Sequence, residues 1–206
     1  YEDGSLVTCP STSPENVFIT PEGEEWSVSF GTTMDISLIR ELFVQCIEAT
    51  KILEGDRNLR YELEIALSRL PDFKIGKHGQ LQEWFFDFDE KEPGHRHVSH
   101  LYSLYPGCSI PALQDKELMK AIRKTLDRRL EHGGGHTGWS CAWLINLWAR
   151  LGDAAKAHEY VMTLLERSVY PNLFDAHPPF QRCSYRVTMT SLIYCQPFQE
   201  NGQRER

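Results

Sequence analysis

Apolar residues recur at helical spacing in two blocks of this chain, and between the blocks no period holds. From Asp35, the positions Ile36, Ile39, Leu42, Phe43, Cys46, Ile47 and Leu53 trace one helical stripe that stops at Gly55-Asp56. A second stripe, Leu59, Leu63, Ala66, Leu67 and Leu70, is ended by Pro71. Two helices joined through Gly-Asp must lie antiparallel. A third helix is predicted from about Asp115 to Glu131, with Leu118, Met119, Ile122, Leu126 and Leu130 facing inward and Lys and Arg covering the rest. Gly133-Gly134-Gly135 terminates it. Trp139 to Leu151 is apolar almost all round, as a buried helix is. Gly152-Asp153 then turns the chain into an amphipathic helix carrying Ala157, Tyr160, Val161, Leu164 and Leu165. Helix, Gly-Asp turn and helix thus occur twice, at 35–70 and at 139–168. No repeat aligns the two, but the layout points to an all-α array of hairpins, either a solenoid or a closed helical toroid.

The remaining segments are expected to be irregular. Residues 1–33 are rich in Ser, Thr, Pro and Gly, with Pro10 and Pro14 barring a helix, and read as loops and short strands. Asn16, in that segment, has no special claim from chemistry. Residues 72–110 should hold little beyond a helical turn near Ser99–Tyr105. Residues 169–181 form a Pro-rich loop with Asp175 and His177. After Gln181 the texture changes to RCSYRVTMTSLIYCQPFQENGQRER, which has no helical stripe and a polar end. Residues 182–206 are therefore expected to be a divergent, disordered tail.

Composition narrows the function classes. The 206 residues are 41% hydrophobic and 25% charged, enough for a core of one domain or a large piece of one. The net charge of -7 and the lack of a Lys/Arg stripe argue against nucleic acid. No apolar run is long enough to span a membrane. The chain opens on Tyr1 rather than Met, so the lack of a leader says nothing of secretion. Six cysteines lie far apart without a CxxC pair, which speaks against zinc, and Cys46 and Cys141 read as buried thiols. No cofactor is implied.

The stretch Gln80–Pro106, QLQEWFFDFDEKEPGHRHVSHLYSLYP, concentrates the chemistry. It sets Glu83 beside Trp84 and an acidic, aromatic run. After the Pro93-Gly94 turn it adds His95, Arg96, His97 and His100. No helix face or strand needs that composition for packing, and a loop carrying carboxyl, imidazole and guanidinium groups beside aromatic surface suits a polar ligand. Singly, each residue is better read as a surface acid or an ordinarily hydrogen-bonded histidine. The cluster as a whole reads as a site.

Six blocks in order, LVTCPSTSPEN, TMDISLIRELF, GQLQEW, HRHVSHLYSLYPG, HTGWSCAWLINLWARLGD and NLFDAHPPFQ, resemble the catalytic domain of glycoside hydrolase family 95, mainly α-L-fucosidases with some α-L-galactosidases. The resemblance covers residues 1–181. It implies part of an (α/α)6 barrel, too short to close, and inverting hydrolysis of terminal α-L-fucosyl or α-L-galactosyl linkages in a fucosylated oligosaccharide or glycan. On that resemblance Glu83 matches the general acid, and Arg96, His97 and His177 match substrate-binding positions. His95 and His100 share the block with a loop-holding role open to them. Trp139 and Trp143 face either the cleft or the core. Secretion enters only through the resemblance, and nothing bears on oligomeric state. From composition, Trp84 and the Phe run are expected to raise the pKa of Glu83, as a general acid requires.

Two departures qualify the resemblance. The asparagine pair that activates water in the family falls in a block expected upstream of residue 1. The family's Ile-Asp-Gly-Asn-Phe-Gly pattern, whose Asp belongs to the base machinery, is replaced after Gln181, and Cys183 stands where that Asp is expected. The chain is therefore expected to be incomplete and weakly active or inactive. The alternatives are a catalytically dead sugar-binding fragment and a helical interaction scaffold.

Overall fold

Each of the five α-helices among the described residues begins on a Thr or Asp whose side chain accepts a backbone N–H: Thr32, Asp56, Asp115, Thr137 and Asp153. Each such cap stabilises its helix by about 1 kcal/mol. The helices are α1 (Thr33–Ile52), α2 (Arg57–Ser68), α3 (Lys116–Glu131), α4 (Gly138–Arg150) and α5 (Ala154–Arg167). The computed structural model describes residues 1–108, 115–171, 174–177 and 181–186. The chain is mostly helical, as the periodicity predicts, and divides into two units, Tyr1–Gly134 and Gly135–Arg206.

In the first unit, β1 (Phe18–Ile19) lies between β2 (Glu25–Trp26) and β3 (Asp89–Glu90), with Phe18 opposite both Trp26 and Glu90. A 3-10 turn over Ser99–Leu101 supplies the helical turn expected there. The core gathers Phe18, Ile36, Leu81, Trp84, Leu101, Ile122 and Leu126. Burying a side chain of this kind stabilises by roughly 1.5–3 kcal/mol. The α1 stripe is only partly covered. Ile36 and Ile47 are buried, but Leu42 is exposed and Cys46, expected to be a buried thiol, is only half-buried. α2 buries no residue fully. Among the helices and strands of this unit α1 packs chiefly on α2 and on the 3-10 turn, and Leu38, Leu42 and Val44 remain exposed.

The buried face of α3 differs from the expected stripe. Ile122 and Leu126 are buried as predicted, but Ala121, Thr125 and Arg129 are buried with them. Those three stand four residues apart on one face. Arg129, expected among the solvent-facing cations, is 2% exposed. Its guanidinium goes inward because two carboxylates wait there.

In the second unit α4 packs on α5 around Cys141, Ile145 and Leu164, with Tyr160, Val161 and Val169 at the edge. α4 is not buried all round, since Trp139 is half exposed. β4 (Phe174–His177) pairs antiparallel with β5 (Gln181–Arg186), with His177 opposite Gln181. Residues 182–186, expected to lack regular structure, are thus a strand held by backbone pairing. The rest of the expected tail, 187–206, lies outside the described residues.

Candidate functional site

Glu83 sits on a bent loop segment pinned from both sides. The Leu81 N–H donates to Thr125 Oγ1 of α3 at 2.9 Å. Thr33, the first residue of α1, donates its N–H to the Glu83 carbonyl at 3.0 Å and its hydroxyl to the Gln82 carbonyl at 2.5 Å. The Gln82 amide ties back to the carbonyls of Trp84 and Phe85, both at 2.8 Å. The Trp84 ring meets Phe18 at 5.4 Å.

The side chain of Glu83 is buried in a polar cradle. Ser13 Oγ donates to Oε1 at 2.7 Å, Asn16 Nδ2 to Oε2 at 3.1 Å, and Arg129 Nη2 to Oε2 at 2.7 Å. His100 Nδ1 lies 3.7 Å from Oε1. Arg129 also reaches Glu90 Oε1 through Nη1 at 2.7 Å, and Arg128 Nε donates to Glu90 Oε2 at 2.9 Å. Two guanidiniums and two carboxylates therefore alternate as a neutral chain. Burial pushes the Glu83 carboxyl up. That effect is outweighed by the charge of an imidazolium at His100, by Arg129, and by the Ser13 and Asn16 hydrogen bonds, so the pKa is lowered from the ordinary 4.5. The expectation that Trp84 and the Phe run raise it is thus corrected: the carboxyl faces charged and hydrogen-bonding partners that outweigh its burial. Burial lowers the His100 imidazole from its ordinary 6.5. The same cause lowers His95, with His97 adding to it.

Two loops meet at this cradle. The Pro14 carbonyl, between Ser13 and Asn16, accepts from Ser99 Oγ at 2.6 Å and pairs with His97 Nδ1 at 3.1 Å. Arg96 forms an ion pair with Glu15. The buried His95 accepts the His97 N–H on Nδ1 at 3.1 Å, which fixes the bend between them. The Pro93-Gly94 turn passes so close to the end of α3 that a Cβ at Gly94 would lie 2.0 Å from the His132 carbonyl oxygen. Glycine alone allows that approach. Arg129 Nη1 also donates to the Pro93 carbonyl at 3.1 Å, so the cation that holds Glu83 holds this turn as well.

Of the residues expected from sequence, the structure brings Glu83, Arg96 and His97 together in the first unit. Trp139, Trp143 and His177 belong to the second. There the Trp139 and Trp143 rings lie 5.1 Å apart at 57°, and His177 ends β4. Ser13, Asn16, Glu90 and Arg129 were not singled out by sequence reasoning. A signal existed for Arg129: Ala121, Thr125 and Arg129 form a second, small-and-polar stripe on a helix whose apolar stripe is already assigned. For Ser13 and Asn16 the only hint was a polar loop stiffened by Pro10 and Pro14.

Among the described residues no three His, Cys, Asp or Glu side chains converge as metal ligands would. The arrangement can hold one carboxyl in a fixed position and set its protonation, beside a loop of cationic and imidazole donors. A model of the glycosyl hydrolase family 95 catalytic domain matches residues 1–182. The chain is 41% identical over 192 residues to "Alpha-L-fucosidase 2" of Arabidopsis thaliana, covering 87% of this chain and 22% of that protein. It is 34% identical over 193 residues to "Probable alpha-fucosidase A" of Aspergillus niger, covering 88% of this chain and 23% of that protein. A protein of the same name from Aspergillus oryzae is 30% identical over 176 residues, covering 81% of this chain and 23% of that protein.

Proposed function

The chain belongs to glycosyl hydrolase family 95, and from that premise we propose that it carries the general-acid half of an inverting α-L-fucosidase site. It spans about a fifth of the curated relatives it matches, so the activity belongs to the longer protein. Residues 1–181 are the part of the catalytic domain in this reading, and 182–206 a divergent tail. The observation that carries it is the Glu83 carboxyl, fixed by Ser13, Asn16 and Arg129 beside Arg96 and His97.

In an inverting hydrolysis the O–H bond of the acid breaks as its proton passes to the glycosidic oxygen. The C1–O bond breaks with its electron pair staying on that oxygen. Water bonds to C1 from the opposite face and gives its proton to a base roughly 6.5–9.5 Å from the acid. Glu83 supplies the acid. Arg96 and His97 bind sugar hydroxyls, and His177 and the half-exposed Trp139, tilted against Trp143, are the substrate-binding candidates of the second unit. The unliganded cradle holds Glu83 ionised. A sugar that displaces the Ser13 hydroxyl from Oε1 takes a donor from the charged form and so raises its proton affinity.

The substrate class is a terminal α-L-fucosyl or α-L-galactosyl unit. The base is the missing half, because Cys183 stands where the family pattern has an Asp. A positioned acid or base contributes ~10²–10⁴-fold, so the 206-residue chain is weakly active or inactive. The salt-bridged resting state of Glu83 also favours a second reading, a sugar-binding fragment without catalysis. Assaying residues 1–206 on an aryl α-L-fucoside beside a full-length relative tests the first point, and turnover near that of the relative overturns it. In the relative, Glu→Gln at the position of Glu83 tests the acid. Unchanged turnover there sinks the general-acid assignment.

A further inference from the structure

Two histidines in the same loop have their ring protons assigned by the backbone, in opposite senses. The His97 main-chain N–H points at His95 Nδ1 at 3.1 Å. A peptide N–H can only donate, so Nδ1 of His95 is the acceptor and its neutral ring carries the proton on Nε2. His97 Nδ1 lies 3.1 Å from the Pro14 carbonyl oxygen. A carbonyl can only accept, so Nδ1 of His97 is the donor and its neutral ring leaves Nε2 unprotonated. The Pro14 oxygen has a second lone pair, taken by Ser99 Oγ at 2.6 Å.

Arg96, between the two histidines in sequence, has the complementary chemistry. A guanidinium offers N–H groups and no acceptor. Here it forms an ion pair with Glu15, the residue after Pro14. Arg96 and His97 are both partly exposed, whereas His95 is buried. One side chain that only donates, next to one whose Nε2 can only accept while the ring is neutral, suits a hydroxyl group, which does both.

We propose that His97 reads the sugar as an acceptor: Nε2 of the neutral ring accepts a hydrogen bond from a sugar hydroxyl, Arg96 donates to a hydroxyl oxygen, and the Pro14 carbonyl is the positioning group that sets the tautomer. This rests on the reading of Arg96 and His97 as substrate contacts and fixes the sense of each hydrogen bond within it. The chemical class recognised is a free hydroxyl. An O-alkyl or O-acyl group at that position has no proton to offer, and a site built to hydrogen-bond a hydroxyl discriminates strongly against an analogue that lacks it. The charged and titratable groups facing the His97 ring are His95, whose ring centroid is 5.1 Å away at 89°, and the Arg96–Glu15 pair. Glu92, Arg129 and Glu83 act in turn on His95.

Ring ¹⁵N NMR of the full 206-residue chain reads the tautomers directly, with His95→Gln and His97→Gln for assignment. The neutral His97 ring should carry its proton on Nδ1 and the neutral His95 ring on Nε2. A neutral His97 with its proton on Nε2 overturns the proposal. Calorimetry of L-fucose binding to a full-length relative reads the sense of the contact. Charging the ring removes the acceptor, so affinity should fall on acidification from about pH 8 to 5, where imidazoles change charge. At the position of His97, His→Gln, whose amide oxygen can accept, should stay within about threefold of wild type and lose that part of the pH dependence. His→Lys, which can only donate, should bind about tenfold more weakly, the size of one hydrogen bond. A Lys variant that binds as tightly as the Gln variant, or a wild-type affinity that rises on acidification, overturns the proposal. The wild-type pH profile decides even where a variant fails to fold. Full affinity in a His→Ala relative would instead remove His97 from the sugar contact, which is failure of the underlying reading and is distinguished by leaving the NMR tautomers as assigned.

Discussion

Arg129 Nη2 lies 2.7 Å from Glu83 Oε2, with both side chains almost wholly out of solvent. A cation on α3 and an anion 46 positions earlier in the chain are thereby joined where neither is well solvated alone. Removing one partner of such a pair strands the other, typically at about 3–5 kcal/mol. Arg129→Leu is therefore expected to destabilise the first unit by about 3 kcal/mol or more in urea denaturation. Arg129→Lys keeps the charge but lacks the planar fork that spans Glu83 and Glu90. It should fall between wild type and Arg129→Leu. A Leu variant within about 1 kcal/mol of wild type would mean that the pair contributes little.

The same contact makes stability depend on pH in a stated direction. The pKa of Glu83 is lower in the folded chain than its ordinary 4.5. Its contribution is present above 4.5 and is lost as pH falls through the folded value. His95 and His100 are lowered from 6.5, so unfolding takes up protons below that pH and they withdraw stability earlier in the descent. Denaturation midpoints should fall in two stages, first below about pH 6.5 and then below about 4.5. Glu83→Gln, less stable throughout, should lose the second stage and keep the first. A Glu83→Gln curve parallel to wild type down to pH 3 would contradict the assignment.

How Glu83 is presented depends on Thr125. Its hydroxyl accepts the buried Leu81 N–H at 2.9 Å and in turn donates to the Ala121 carbonyl at 3.0 Å. Thr125→Val keeps the shape and removes the acceptor. Leaving a buried donor short of its partner costs about 1–3 kcal/mol. The variant should lose stability in that range, and the Leu81 amide should exchange with solvent faster than its neighbours. Equal protection of Leu81 in both proteins would show that the Ala121 carbonyl, 3.3 Å from the same N–H, suffices.

The helices were legible because period and punctuation agreed. Asp56 and Asp153, each following a glycine, cap α2 and α5 where the Gly-Asp turns were read. What was not legible came from partners distant in sequence. Leu42 lies on the predicted stripe yet is exposed, because a stripe records which face should be covered and not what covers it. Arg129 looked like a solvated helix cation, since a charge announces its burial only through the carboxylate it meets. Asn16 and Ser13 belong to a loop with no period at all, and their role follows from Glu83 arriving beside them. The residue types around Glu83 suggested an apolar pocket, but the loop brings its carboxyl against Ser13, Asn16 and Arg129.

Trp139 is 50% exposed while its neighbour on the helix face, Trp143, is partly covered and lies 5.1 Å from it. A large aromatic held by a second ring at the surface suits stacking on a sugar better than packing. In a core role, replacing it would open a cavity, at about 3–5 kcal/mol for Trp→Ala. As a surface platform, replacement should be nearly neutral for stability and be felt in binding. Trp139→Ala is therefore expected to change the urea midpoint free energy by less than about 1 kcal/mol. The same change at the equivalent tryptophan of a full-length relative should weaken L-fucose binding about tenfold, or 1.4 kcal/mol, by calorimetry. Loss of several kcal/mol of stability with unchanged L-fucose affinity would return Trp139 to the core and remove it from the site.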